Sequence, residues 1–420
     1  MLMPTLSEVR PVFYPSSPEK MEDIGVNEGL LLDLIVRRLS LEGTSTLTEL
    51  GAKLKLSYPI VDHLFRTMRQ HQLVEVKGMQ GNDYWITLSG AGRNLASERL
   101  RISKYAGAAP VSLNDYAAAV KAQAAEVDIS RKSLRNALSD LVVTDSILDK
   151  LGPAVISQTS IFLYGPTGNG KTSLAERLLR VYQDSVLLPY AVEVDTQIIT
   201  LYDPVVHQRI ETEDPDIDPR WILCKRPYIM VGGELVPAML ELRLDEPSGI
   251  YTAPLQMKAN NGIFLIDDFG RQLISPRDLL NRWIVPLDRR VDYLSLQYGV
   301  KFQIPFEVMV VFATNLDPND LADEAFLRRI HNKIFIEPVL QQTFDEIFRR
   351  VASARGILLE GDSCENLRKL CLNDGRTELR ACYPLDIVDI LCSIGRYEKR
   401  TVTVTRDDLQ RAVGMYFAKA

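Results

Sequence analysis

Apolar residues along this chain fall into two patterns, helical spacing near both ends and short unbroken runs in the middle. After an irregular arm over residues 1–27, broken by Pro4, Pro11, Pro15 and Pro18, the stretch Leu30–Leu39 is apolar around most of a helix. Thr46 and Glu49 have the spacing of a capping box and predict a second helix to Leu54. Ile60, Val61, Leu64, Phe65 and Met68 recur with a period near 3.6 and predict a third, from Tyr58 to about His71. Two alternating runs, Leu73–Lys77 and Tyr84–Leu88, flank the turn residues Gly78–Asp83 and predict a hairpin. An alanine-rich helix over Asn114–Glu126 reads as part of a connector spanning residues 105–127.

Beyond it the period changes. Ser160–Tyr164, Gly262–Ile266 and Val308–Ala313 are short continuous apolar runs, the mark of parallel strands buried on both faces. Each ends in residues that carry chemistry. The first runs into Gly165-Pro166-Thr167-Gly168-Asn169-Gly170-Lys171-Thr172-Ser173, which satisfies G-x-x-x-x-G-K-[ST] between a predicted strand and a predicted helix. Its glycines let backbone N–H groups turn inward around phosphate, Lys171 reaches the β- and γ-phosphates, and the Thr172 hydroxyl takes a place on Mg²⁺. The second run ends in Asp267-Asp268, at the strand edge where open α/β sheets bind ligands. Asp267 is placed to hold Mg²⁺, and Asp268 to polarise an attacking water. The third ends in Thr314-Asn315, whose amide can bond the γ-phosphate or that water. Tyr190–Val194 and Gln197–Tyr202 read as further strands, Pro276–Pro286 as a helix, and Arg290–Leu296 with Val300–Ile304 as a hairpin. The acidic run Glu211–Pro219 lacks EF-hand spacing and its glycine, and reads as a solvated loop.

Composition narrows the class. At 420 residues and 46% hydrophobic content, the chain has material for several domains of roughly 100–200 residues. A net charge of −6 gives no global case for nucleic-acid binding, so any basic surface is local. The five cysteines form no C-x-x-C pair and the four histidines lie far from most of them, which points to reduced thiols rather than a zinc site. No apolar run approaches the ~20 residues of a membrane helix, and no signal sequence opens the chain, so a cytoplasmic protein without membrane insertion is expected.

The order of these motifs, followed by Asp323-Glu324-Ala325-Phe326-Leu327-Arg328-Arg329, resembles the AAA+ ATPases over about residues 128–420. The resemblance implies a three-layer αβα P-loop NTPase core at 128–338 and a helical lid at 339–420, with ATP and Mg²⁺ as ligands. Carried over by motif, Lys171 and Thr172 stand in Walker A, Asp267 and Asp268 in Walker B, and Asn315 at sensor 1. Arg328 or Arg329 matches the finger inserted into a neighbour's site, which implies a homo-oligomer, a hexamer in the usual ring. Arg380 matches sensor 2, with Arg376 the alternative, and the 290–304 hairpin matches the one that a branch of the family inserts before sensor 1. Most members carry Glu where this chain has Asp268, which implies slow hydrolysis. Lys225–Glu234 resembles the aromatic–glycine segment lining the pore of unfolding rings, against the reading of a core strand ending in a glycine turn.

Residues 28–104 resemble a winged helix-turn-helix domain. His63, Arg66, Thr67, Arg69 and Gln70 would face outward on its third helix. DNA contact through Arg66, Arg69 and Lys77 stands beside docking of a protein, which Asp62 and Glu75 favour. Three functions follow: a chaperone-like ring that remodels an unidentified protein client; a nucleic-acid-acting ring (initiator, branch-migration motor or transcription regulator); or a nucleotide-gated scaffold.

Overall fold

The computed structural model describes residues 13–124, 129–211, 216–321, 327–373 and 376–417. Outside them lie the start of the expected N-terminal arm, the end of the expected connector, the centre of the acidic run, and the Asp323–Phe326 part of the arginine-bearing segment.

Asn27 caps α1 (Glu28–Glu42) by accepting from the Gly29 N–H at 2.8 Å. A short strand β1 (Thr44–Thr46) leads into α2 (Leu47–Leu54), where the Thr46–Glu49 capping box forms as the spacing predicts. Then come α3 (Tyr58–Gln70), β2 (Val74–Gln80), β3 (Asp83–Leu88) and α4 (Gly90–Ile102). The three strands form an antiparallel sheet in the order β1-β3-β2. The hairpin turn is shorter than expected, only Gly81-Asn82, because β2 is an edge strand exposed from Glu75 to Gln80. A strand wet on both faces has no alternation to display, so its second half looks like loop in sequence. Helix α4 escapes the pattern for a similar reason, burying only Gly92 and Ala96.

The stretch expected as a connector is instead built into the interior. Strand β4 (Val111–Ser112) and helix α5 (Leu113–Ala122) bring Val111, Tyr116, Ala119 and Val120 into a buried cluster. Helices α6 (Arg131–Ala137) and α7 (Asp145–Ile156) precede β5 (Ile161–Tyr164) and α8 (Lys171–Leu178). The chain continues through β6 (Ser185–Pro189), β7 (Ala191–Val194), β8 (Gln197–Thr200), β9 (Trp221–Lys225) and β10 (Tyr228–Val231). After β11 (Arg243–Asp245), β12 (Ile250–Thr252) and α9 (Leu255–Lys258) come β13 (Ile263–Ile266) and α10 (Pro276–Arg289). The hairpin β14 (Val291–Ser295) and β15 (Lys301–Pro305), then β16 (Met309–Thr314) and β17 (Asn332–Phe335), complete the strands before the tail.

Five of these strands make an all-parallel sheet in the order β10-β13-β16-β5-β17. Alternate side chains face opposite layers. Ile161, Leu163, Ile263, Leu265, Met309 and Val311 pack with residues of α6, α7 and α8. Phe162, Phe264, Ile266, Val310 and Phe312 pack with Trp283 of α10 on the other side. This is the expected α/β core with helices on both faces. Tyr228–Val231 is its edge strand, with Tyr228 paired to Ile263, so the pore-segment reading gives way to a core strand.

A second sheet, β11-β12-β8-β7-β4, lies beside the core and holds the two strands expected near 190–202. The β14–β15 hairpin forms as expected but does not project freely. Leu294, Phe302 and Ile304 are buried with Tyr116, Val192 and Tyr251, and the Tyr298 hydroxyl at its tip donates to Asp195 at 2.9 Å. Asn260 and Asn261, just before β13, donate to the Tyr116 hydroxyl at 2.7 Å and the Val120 carbonyl at 2.8 Å. The second sheet therefore stands at the N-terminal edge of the parallel strands, and their C-terminal edge is left to the chemistry.

The tail contains helices Gln341–Ala354, Ser363–Cys371, Cys382–Glu398 and Arg406–Tyr416 around one apolar cluster. Among the described residues it departs from the expected all-helical lid only where Leu358–Leu359 pairs with Thr403–Val404. No described helix is long and apolar enough to cross a membrane.

The acidic run also needs correction. Its end enters the interior: Asp218 is 2% exposed and Arg220 3%, joined at 2.8 Å. Arg220 also donates to the carbonyls of Ile24 at 3.0 Å and Pro110 at 3.2 Å, tying the N-terminal unit to the second sheet. Removing one member of a buried pair leaves the other charge uncompensated. Arg220→Ala is therefore expected to destabilise the fold by about 3–5 kcal/mol, measured by denaturant unfolding; an unchanged midpoint would show that Asp218 finds other partners.

Candidate nucleotide site

The site is assembled at the C-terminal edge of the parallel sheet from four separated segments. Strand β5 ends at Tyr164, and the loop that follows needs glycine for stated reasons. Gly165 has φ +134°, and a Cβ there would lie 2.4 Å from the Ile336 carbonyl oxygen. Gly168 has φ +82°, with the Cys382 Sγ 2.5 Å from where its Cβ would be. Gly170, at φ +81°, is the N-cap of α8 and offers no side-chain acceptor, so the first N–H groups of the helix remain available to an anion.

Lys171 opens that helix and is only 9% exposed. Its Nζ donates to the carbonyls of Gly165 at 2.9 Å and Pro166 at 3.0 Å, and burial holds its pKa below the usual lysine range, opposed by Asp267 and Asp268. Phosphate would relieve that burial cost by supplying negative charge. The Thr172 hydroxyl donates to the Asp267 carboxylate, 2.9 Å from Oδ1 and 3.0 Å from Oδ2. The two residues expected to share Mg²⁺ thus touch across 95 positions of sequence. Ser173 is half-buried on the first turn, and its carbonyl accepts from Arg177 at 3.0 Å.

Strand β16 lies between β5 and β13, so Asn315 stands between the loop and the aspartates. Its Nδ2 donates to the Thr167 hydroxyl at 3.2 Å. Asp268 is exposed, with φ +48°, and its N–H donates to Asp267 Oδ1 at 3.0 Å.

The tail closes the other side of the loop. The Cys382 N–H donates to the Gly168 carbonyl at 2.9 Å and the Ala381 N–H to Asn169 Oδ1 at 3.3 Å. Arg380 Cδ lies 3.7 Å from the position of a Cβ on Gly168. Arg376 is committed elsewhere: its Nε donates to the Cys371 carbonyl at 2.9 Å and its guanidinium lies 3.8 Å from the Phe417 ring centroid. The geometry therefore separates the two sensor-2 candidates, with Arg380 at the loop. The two arginines expected as finger candidates differ in their surroundings. Arg329 is paired with Asp288 at 2.8 Å, whereas Arg328 is exposed and has no hydrogen-bond or ion-pair partner among the described residues.

Three buried polar atoms around the loop have no protein partner: Asn169 Nδ2, Asn315 Oδ1 and Arg380 Nε. Two donors and an acceptor left open at one place fit a polar ligand bearing anionic oxygens and a bound water. The oxygens of Thr172 and Asp267 are the hard donors that Mg²⁺ takes. Sequence reasoning missed Gln272. Its Nε2 donates to the carbonyls of Asp267 at 2.8 Å and Asp268 at 3.1 Å, and its Oε1 accepts from the Gly270 N–H at 2.8 Å. No motif spacing singles out a glutamine four residues beyond the aspartates.

Lys171→Ala removes the one cation buried inside the loop. It is expected to abolish binding of a fluorescent ATP analogue while leaving the melting temperature near that of the unmodified protein. Retained affinity would place the nucleotide elsewhere.

Residues 340–415, most of the tail, match the family model described as "Domain of unknown function (DUF8689)". No curated protein matches the chain at significance. Among solved structures, NtrX from Brucella abortus is similar at 15% identity and a TM-score of 0.41, over 68% of this chain and 59% of that one. The chain thus spans well under two thirds of NtrX. A RuvB variant from Thermotoga maritima is similar at 15% identity and a TM-score of 0.40, over 67% of this chain and 73% of that one.

Proposed function

We propose that this chain is a Mg²⁺-dependent ATPase of the AAA+ type, acting as a homo-oligomeric ring, a hexamer by the family pattern. The ring couples hydrolysis to remodelling of a protein or protein assembly. The observation that carries the reading is the convergence of Thr172, Asp267, Asn315 and Arg380 on one glycine loop.

In this reading the N–H groups of the loop and of α8 bind the phosphates, and Lys171 exchanges its two carbonyl partners for β- and γ-phosphate oxygens. Thr172 and Asp267 would hold Mg²⁺, which would supply positive charge against the charge that develops on the phosphates. Asp268 accepts a hydrogen bond from the attacking water and aligns it, and Asn315 orients the same water or the γ-phosphate. Arg380 brings positive charge from the lid. Arg328, exposed and unpaired among the described residues, serves the neighbouring subunit's site. The intact lysine, metal-binding pair and free arginine favour turnover over a passive scaffold.

The N-terminal unit is read as a winged-helix-like docking module, supported by its element order and the β1-β3-β2 sheet. Its surface favours protein over DNA. Arg66 is paired with Asp62 at 2.7 Å, Lys77 with Glu75 at 3.0 Å, and Arg69 lies 5.7 Å from the Phe65 ring centroid. Tyr58, Val76, Met79 and Trp85 are exposed beside them. Cations already neutralised by neighbours release fewer counterions on meeting phosphate, and exposed aromatic and apolar groups suit a protein partner.

A finger supplied in trans is worth roughly 10³–10⁵ in rate in related P-loop enzymes. Arg328→Ala is therefore expected to keep nucleotide affinity and assembly but lose turnover by about that factor. Mixing it with Lys171→Ala protein should restore part of the rate, because mixed interfaces join an intact arginine to an intact loop. Full activity of Arg328→Ala in a steady-state phosphate-release assay would remove this assignment.

A further inference from the structure

Resting on that ATPase reading, we propose that Gln272 is a positioning residue: its side-chain amide holds Asp268 in a left-handed backbone conformation and so sets where the short carboxylate stands. Asp268 has φ +48°, a region that L-residues avoid and that aspartate tolerates better than most. Such a conformation persists only where surrounding bonds determine it. Here they are identifiable. The Gln272 amide spans the turn, donating to the carbonyls of Asp267 at 2.8 Å and Asp268 at 3.1 Å while accepting from the Gly270 N–H at 2.8 Å. The turn is fixed at its far end as well. The Phe269 N–H donates to the Ala313 carbonyl at 2.8 Å, and the Thr314 hydroxyl donates to the Phe269 carbonyl at 2.7 Å.

Left-handed backbone at this residue bears on the chain's departure from the commoner glutamate. An aspartate is one methylene shorter, so its carboxylate cannot reach a distant water by changing side-chain rotamer. The backbone turn then decides where the carboxylate lies. The Asp268 N–H, fixed by the same turn, donates to Asp267 Oδ1 at 3.0 Å, so the metal-side carboxylate is oriented from the same clip. Asp267 is also held by Thr172, whereas no side chain among the described residues bonds the exposed Asp268 carboxylate. Loss of the clip therefore falls mainly on Asp268, and on the chemical step more than on binding.

Two variants of the full chain test this. Gln272→Met keeps the length of the side chain and removes all three hydrogen bonds. Gln272→Glu keeps an acceptor for the Gly270 N–H but sets an oxygen against the two carbonyls. Both are expected to keep affinity for a fluorescent ATP analogue within about threefold and to lower kcat at least tenfold, with Gln272 half-buried in a loop and the melting temperature little changed. The decisive readout is a double-mutant cycle with Asp268→Asn under single-turnover conditions. If Gln272 acts through Asp268, Gln272→Met slows the unmodified protein but has little further effect in the Asp268→Asn background. Additive losses, or equal falls in affinity and rate, would make Gln272 a merely structural residue and overturn the proposal. Wild-type kcat in both Gln272 variants would overturn it while leaving the ATPase reading standing; absence of turnover in the unmodified protein would overturn both.

Discussion

Strand β16 pairs with β5 on one side and β13 on the other, all three parallel, and the candidate chemistry depends on that register. Phe312 lies opposite both Ile266 and Phe162, so the three strands end together and deliver Asn315, Asp267 and the glycine loop to one edge. A parallel sheet sealed by apolar layers on both faces leaves only this edge for polar groups. The rings of Phe162, Phe264, Phe312 and Trp283 on one face, and Leu174 and Leu178 of α8 on the other, hold that edge in place. The Thr172–Asp267 hydrogen bond follows from this register together with the glycine loop, which starts α8 beside the end of β13.

The opposite edge has a different construction. Asn260, Asn261 and Arg226 meet α5 there through buried polar contacts, including Arg226 to the carbonyls of Gln123 at 3.0 Å and Asn261 at 2.8 Å. Through α5 and Arg220 the second sheet joins the core to the N-terminal unit. The candidate site and the N-terminal unit thus stand at opposite ends of the same strands, with the second sheet between them.

Legibility from sequence followed the locality of the signal. The glycine loop, the two aspartates and Asn315 were readable because each directly follows a buried four- to six-residue run whose end must lie at a sheet edge. Thr46 and Glu49 were readable because a cap is made within one turn. Of the second sheet only β7 and β8 were, since its strands are two to four residues long and pair across long separations, Val111 with Val192 and Ile199 with Tyr251. The burial of Asp218 was hidden because only the fold brings the carbonyls of Ile24 and Pro110 to its partner Arg220. The different surroundings of Arg380 and Arg376, and of Arg328 and Arg329, are made by side-chain partners that no spacing reveals.

In the proposed ring, one subunit's loop and a neighbour's arginine form a shared hydrolytic site. Its most direct measurement is the rate of ATP hydrolysis per subunit against protein concentration, with assembly followed in the same samples by light scattering. The account predicts negligible turnover while the chain is monomeric and a rise that tracks assembly. Constant turnover per subunit across the range, sustained by a monomer, would contradict it.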